Sequence, residues 1–183
     1  MRKSNKKVDI MNTAEALFYQ HGFHSVGIKR ILEQAEVATM TMYYHFKSKE
    51  ELIAAVLMER EKHYFMLLDS KINKDTDVKD YVNSIIDAHL TWVEEEGNNG
   101  CLFLRAKQEY ADRNEHISSL SQEHKQKLIN KIAKDLNSFK DSEAISVQIS
   151  ILLEGITSMA QILDIEKVRT SAYKLAETIK VSE

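Results

Sequence analysis

The sequence predicts an all-α protein, and three observations predict it. Its 183 residues contain no proline and only five glycines, which removes the usual punctuation of β-sandwiches and long loops. Glu, Lys, Leu, Ile and Ala, which favour helix, are abundant. Apolar residues recur at spacings of three and four along most of the chain, the period of a one-sided helix. The length suffices for one full core, or for a small domain fused to a larger one.

Composition also excludes several functional classes. A single cysteine rules out an internal disulfide framework and a cysteine-based zinc site. No apolar run approaches the roughly 18 residues of a membrane span. The opening "MRKSNKKVDI" is basic but has no apolar stretch behind it, unlike a secretory signal, so a reducing cytoplasm is the expected setting and no membrane partner is expected. The total charge of −3 is uneven. Residues 1 to 50 hold 8 Lys+Arg against 5 Asp+Glu, and the remainder 17 against 23, so an acidic protein carries a basic head suited to nucleic acid.

Element by element, Ile10, Ala14, Leu17 and Phe18 form one apolar stripe that ends at Gly22, a left-handed C-cap. Ser25 is positioned to cap a second helix bearing Ile28, Ile31, Leu32 and Ala35. A third short helix runs from Thr39 to Tyr44. Ser48 and Glu51 then form a capping box for a long fourth helix that reaches about residue 71 through Leu52, Val56, Leu57, Tyr64, Leu67 and Leu68. "NKDTDVKD" breaks it. Val82, Ile85, Ile86, His89 and Val93 mark a fifth helix that ends at "EEEGNNG", and Cys101 to Tyr110 a short sixth. Ile117, Leu120, His124, Leu128, Ile132, Leu136 and Phe139 give a long, one-sided seventh. The eighth, Ile145 to Leu163, is broadly apolar and carries Gly155 where helix propensity disfavours glycine unless another backbone comes close. Val168, Ala172, Leu175, Ala176 and Ile179 make a ninth.

Within this frame, "VATMTMYYHFKSKEEL" at 37–52 crowds hydroxyls and aromatics just before a lysine-rich turn. Two short helices with a tight turn, packed on a third, describe a helix-turn-helix, whose second helix enters the DNA major groove. Thr39 and Thr41 offer hydroxyls and methyls to base edges. Tyr44, His45 and Lys49 can donate to phosphate oxygens, and the start of the fourth helix adds its dipole. Tyr43 and Phe46 divide between packing and contact.

The stretch "ALFYQHGFHSVGIKRILEQAEVATMTMYYHFKSKEELIAAVL" resembles the DNA-binding domain of the TetR/AcrR family of transcriptional regulators, over about residues 7 to 57. The resemblance implies that residues 38–44 are the recognition helix. It carries contact roles onto Thr39, Met40, Thr41, Tyr43, Tyr44, His45 and Lys49, with Ser25 and Lys29 touching the backbone. It departs from the family pattern where Glu36 and Ala38 replace the usual turn glycine and capping serine, and where Met40 occupies a position usually small or basic. Glu36 places negative charge near phosphates, which bears on affinity and on the bases read more than on the fold.

The expected organisation is a three-helix head over 1–50, with the helix-turn-helix at about 27–46. A long helix joins it to a ligand-binding and dimerisation bundle of 51–183, giving about nine helices. "GCLFLRAKQEYADRNEHISSLSQEHKQKL" looks like the segment "GC.F..A..E" and following long helix of one branch of these regulators. Family resemblance also implies a ligand bundle from helices four to seven and half of a four-helix dimer interface from helices eight and nine. The broad face of helix eight and the match of two heads to a palindromic operator support a homodimer. Its expected interface is Gln148, Leu152, Gly155, Ile156, Met159 and Leu163 with Ala172, Leu175 and Ile179. Tyr64, Met66, Leu67, Ile86, His89, Trp92, Phe103, Tyr110 and His124, together with Cys101, are candidates to line a small-molecule pocket, with plain core packing as the competing reading.

Cys101 also raises a sharper possibility, a redox or electrophile sensor favoured by Arg105 and by a helix N-terminus, against the reading of a small buried hydrophobe. Neither His21 with His24 nor His116 with His124 has metal-ligand spacing with acidic partners, so no metal and no cofactor are expected. The expected function is a dimeric, ligand-responsive DNA-binding regulator, a repressor released from its operator by a small molecule. Two other classes stay open: a dimeric small-molecule or thiol sensor with little DNA affinity, and a small helical enzyme. The enzyme reading lacks a grouped nucleophile and base and a glycine-rich phosphate loop.

Overall fold

Helix α1, Lys6–His21, opens the computed structural model, which describes residues 5–74, 76–97 and 99–179. Eight more helices follow among the described residues: α2 Ile28–Ala35, α3 Thr39–His45, α4 Lys49–Lys71, α5 Val78–Glu96, α6 Leu102–Tyr110, α7 Glu115–Asp135, α8 Ser142–Met159 and α9 Ile165–Ala176. No strand occurs among these residues.

The helix starts follow local side-chain chemistry. Ser48 Oγ accepts from the Glu51 N–H at 3.1 Å, and the Glu51 carboxylate reaches back to the Lys47 N–H at 2.7 Å, one residue earlier than a standard capping box. Asp77 caps α5 by accepting from the Asp80 N–H at 2.8 Å, and Asp164 caps α9 through the Glu166 N–H at 3.0 Å. Asn114 Oδ1 takes the Ile117 N–H at 3.1 Å at the start of α7. Ser25 behaves differently from the sequence expectation. It does not cap α2, whose N-cap is Gly27, but donates its hydroxyl to the His21 carbonyl at 2.5 Å and closes the turn after α1. Phe139, Leu163 and Ile179, assigned to helices by periodicity, fall just beyond the ends of α7, α8 and α9.

The chain forms two compact units that interleave in sequence. The first comprises the described residues of Met1–Glu61 and Leu102–Glu123, and the second the described residues of Lys62–Cys101 and His124–Glu183, so α4 and α7 each contribute to both. In the first unit, Ile10, Phe18, Phe23, Val26, Ile31, Met42, Phe46, Ile53 and Leu57 are buried, as are Leu102, Phe103, Ala106 and Tyr110 of α6. Each such Val, Leu, Ile, Met or Phe side chain contributes about 1.5–3 kcal/mol by leaving water. The Arg60 guanidinium is also buried there. It bonds Glu15 at 2.6 Å and lies 4.8 Å from the Tyr19 ring centre, so one cation pins α4 to α1 by charge and by stacking.

The second unit packs Tyr64 and Leu68 of α4 with Ile85, Ile86, Leu90 and Val93 of α5. Leu128 and Ile132 of α7, Ile145, Ile149, Leu153 and Ile156 of α8, and Val168 and Ala172 of α9 complete the cluster. Its outer surface is tied by ion pairs: Lys131 to Asp69 at 2.6 Å and to Asp135 at 3.2 Å, and Arg169 to Glu94 at 3.1 Å.

Candidate nucleic-acid interface, bundle interior and apolar groove

The turn between α2 and α3 is made by three residues, and its first, Glu36, is left-handed at φ 53° and ψ 46°. That conformation is costly for a side chain and is the one a glycine adopts freely. Helix α3 then buries Met42, and Phe46 just beyond it, four residues along, is buried too. On the far side of the helix Met40 is 80% exposed, Tyr44 84% and Tyr43 53%, with Thr39 exposed beside them. Phe46 therefore packs and Tyr43 faces out. The exposed face of α3 carries hydroxyls, a thioether and aromatic rings, with no carboxylate among them.

Thr41 and His45 are partly buried, and the His45 ring meets Tyr44 edge-on at 5.0 Å. Ser25 and Lys29 are exposed before and in the first turn of α2, Lys29 paired with Glu33 at 3.8 Å. Lys49 is engaged elsewhere: its ammonium donates to the Phe23 carbonyl at 2.6 Å. Burial pulls its pKa below the usual lysine value, against the opposing influence of Glu50 and Glu109. Lys7 sits 5.7 Å over the Phe46 ring.

The turn between α1 and α2, where Phe23 lies, is held from α6. Glu109 accepts the N–H of Phe23 at 3.1 Å and of His24 at 2.7 Å, while the His24 ring lies 2.8 Å from the Glu109 carbonyl. Arg105, one helical turn earlier, donates to the Tyr19 carbonyl at 2.7 Å and the Phe18 carbonyl at 3.3 Å, the open end of α1. Tyr110 stacks on His24 at 4.9 Å and meets Phe23 edge-on at 6.1 Å. Tyr110 and Phe103, candidates for the pocket, thus belong to the first unit. Periodicity did not single out Glu109 or Arg105. The signal available was the glutamate of the "GC.F..A..E" pattern.

The other pocket candidates lie in the second unit. Tyr64, Ile86, His89 and His124 are buried, whereas Leu67, Trp92 and Cys101 are partly exposed and Met66 is exposed. Tyr64 sits at the centre of an aromatic cluster, 5.2 Å from Trp92, 5.7 Å from His89, and 5.8 Å from both Phe65 and His124. Its hydroxyl pairs with His89 Nδ1 at 2.8 Å, and His89 Nε2 pairs with Thr157 Oγ1 at 2.8 Å. Lys125 forms an ion pair with Glu154. Burial lowers the Lys125 pKa, but Cys101 and Glu154 beside it outweigh burial and hold it above the ordinary value. Among the described residues no buried side-chain nitrogen or oxygen lacks a hydrogen-bond partner, and no group of three His, Cys, Asp or Glu could hold a metal.

Helices α8 and α9 line an apolar groove of roughly 620 Å3. All nine residues expected at the dimer interface border it: Gln148, Leu152, Gly155, Ile156, Met159, Leu163, Ala172, Leu175 and Ile179. Ile151, missed by the sequence reading, joins them at 66% exposed. Among the described residues outside its own stretch of helix, nothing lies within 4 Å of a side chain placed at Gly155, so the glycine widens the groove rather than admitting a neighbouring helix of its own chain. No described helix is long and apolar enough to cross a membrane.

The family of bacterial regulatory proteins called tetR matches residues 10–56, which cover α2, α3 and most of α1. The HTH-type transcriptional regulator UidR of Escherichia coli is 38% identical over 53 residues, covering 29% of this chain and 27% of that protein. The fatty acid metabolism regulator protein of Bacillus subtilis is 24% identical over 90 residues, 49% of this chain and 46% of that protein. The chain thus spans about a quarter to a half of the length of these two relatives. The crystal structure of SCO4454, a TetR-family transcriptional regulator from Streptomyces coelicolor, superposes with a TM-score of 0.87 at 25% identity. That match covers 95% of this chain and 93% of that one.

Proposed function

We propose that the chain is a regulator of the TetR type: a cytoplasmic, dimeric, sequence-specific DNA-binding protein released from its operator by a small molecule, a reading supported by the family match over the head and by the likeness of fold. The observation that carries the reading is the outer face of α3: Thr39, Met40, Tyr43 and Tyr44 are exposed together, with Met42 and Phe46 buried behind them. Thr39 and Thr41 suit base edges, and the thioether of Met40 suits a thymine methyl. The Tyr44 hydroxyl and the Ser25 and Lys29 side chains suit phosphates, which set register without reading sequence. Lys49 acts chiefly by holding the turn at Phe23, with its remaining protons available to a phosphate.

Two heads are required for a two-fold operator, and the groove on α8 and α9 supports a homodimer as their source. Its apolar floor would be covered by the same face of a second copy. The effector, a partly apolar small molecule, enters the second unit beside Tyr64, Leu67, Ile86, His89, Trp92, Cys101 and His124. Because the buried polar groups there are already paired, a ligand must displace existing contacts to enter. Its differential affinity for the displaced state is what shifts the population away from the DNA-competent one. Phe103 and Tyr110 serve the head in this account rather than the pocket.

The test is selection of bound duplexes from a random pool by the purified protein at two salt concentrations. The proposal expects a palindrome with half-sites about one helical turn apart or slightly more, bound less tightly at the higher salt. Recovery of no motif at either salt would contradict it and favour a sensor without useful DNA affinity.

A further inference from the structure

We propose that Glu109 is a positioning residue for DNA reading, a role that rests on the proposed function of the head. Its carboxylate holds the turn between α1 and α2, and through that turn sets where Ser25 and Lys29 stand. Two backbone N–H groups in succession, Phe23 and His24, donate to its two oxygens at 3.1 and 2.7 Å. Gly22 makes room for it. A side chain there would meet Glu109 Oε1 at 2.9 Å, and its φ of +84° is itself a glycine conformation.

The His24 N–H is exposed, so water alone could satisfy it. What the carboxylate adds is location. Phe23 is consequently fixed at every group it has: its N–H by Glu109, its carbonyl by Lys49 at 2.6 Å, and its ring by full burial. Arg105 fastens the preceding end of α1 from the same face of α6. Only His24, itself held by Glu109, and Ser25, Val26 and Gly27 separate Phe23 from Ile28, where α2 begins, so a shift of the turn is passed directly to the start of α2. The glutamate thus contributes to specific binding while its own negative charge opposes attraction to DNA in general.

Those two effects have opposite signs, which makes the role testable. Glu109→Gln retains one acceptor, loses the charge, and turns an N–H2 group toward one of the two backbone donors. Its affinity for the duplex that the parent selects from a random pool should fall about tenfold, in line with the loss of one charge-assisted hydrogen bond. Its affinity for a scrambled duplex at low salt should stay level or rise. A fall by the same factor on both duplexes would mean that the residue merely keeps the head folded, and no fall on the selected duplex would mean that it positions nothing; either result overturns the proposal. Should the variant not fold, amide exchange in the parent decides: slow exchange at Phe23 and His24 is expected, and exchange at solvent rates would refute the clasp. If the parent itself selects no motif, the DNA-reading proposal fails first and this one with it.

Discussion

The Tyr64 hydroxyl and Nδ1 of His89 lie 2.8 Å apart inside the second unit, and the bonds at the other ring nitrogen decide that the hydroxyl donates. Thr157 gives its own proton to the Leu153 carbonyl at 3.1 Å, so its oxygen accepts from His89 Nε2–H. His89 is therefore neutral, with its proton on Nε2. Tyr64→Phe would leave the buried Nδ1 without a donor and should cost about 1–3 kcal/mol of stability. Urea denaturation compares the two proteins, and an unchanged midpoint would contradict the assigned network.

The same histidine makes stability depend on pH. Burial first, and the charge of Lys125 second, push its pKa down from 6.5 to about 3. Below pH 6.5 the unfolded chain takes up a proton at His89, while the folded chain does not until near pH 3. The stability carried by neutral His89 is thus complete above pH 6.5 and is lost as pH falls through that window, by at most about 1.4 kcal/mol per pH unit. Between pH 7 and pH 5 the parent should lose about 2 kcal/mol more than His89→Gln. Equal losses would mean that the histidine titrates normally in the fold.

Glu36 combines a left-handed backbone with a negative charge in the turn before α3. Glu36→Gly should relieve the backbone, raising stability by up to about 1 kcal/mol after the added freedom of the unfolded glycine is counted. It should also tighten duplex binding, most at low salt, because a repulsion is removed. A variant no more stable than the parent and binding no tighter would show that the glutamate makes contacts that offset both costs.

Leu175 is 56% exposed in the single chain and borders the apolar groove. Leu175→Glu should leave each chain folded but separate the dimer. Light scattering should then report the mass of one 21.1 kDa chain in place of two. A variant that remains dimeric would move the interface elsewhere, and a parent that is already monomeric would contradict the dimer itself.

On α3, Thr41→Ala should relax preference at one base pair at a cost of about 1–3 kcal/mol on the selected duplex. Tyr44→Phe, which removes only an exposed hydroxyl, should weaken every duplex alike. Identical profiles for both variants would contradict the division between base and phosphate contact.

The helices were legible because their apolar faces repeat: Ile10, Ala14, Leu17 and Phe18, or Ile145, Ile149 and Leu153, mark buried stripes that need no tertiary information. The ends were less legible. Phe139, Leu163 and Ile179 continue the period of their helices but lie past the last turn, since periodicity records burial and not hydrogen bonding. Ser25 looked like a cap by residue type, yet its hydroxyl is taken by the carbonyl of His21. The residues expected on α8 and α9 all border one groove because a shared face follows from helical spacing alone. The pocket candidates divide between two units because aromatic and polar residues look alike in sequence whether they pack under a head, as Tyr110 does, or inside a bundle, as Tyr64 does. Glu109 and Arg105 bind backbone atoms more than eighty residues away in sequence, a pairing that no local pattern encodes.

The reading of a two-fold site by two copies of this head through α3 is open to test at the level of the half-site. Its most direct measurement takes the duplex selected by the parent, inverts one half-site, and compares affinity and the mass of the complex for the two duplexes. Two chains should bind the palindrome, and affinity should fall to the level of a scrambled duplex when one half is inverted. A single chain per duplex, or equal affinity for both arrangements, would contradict it.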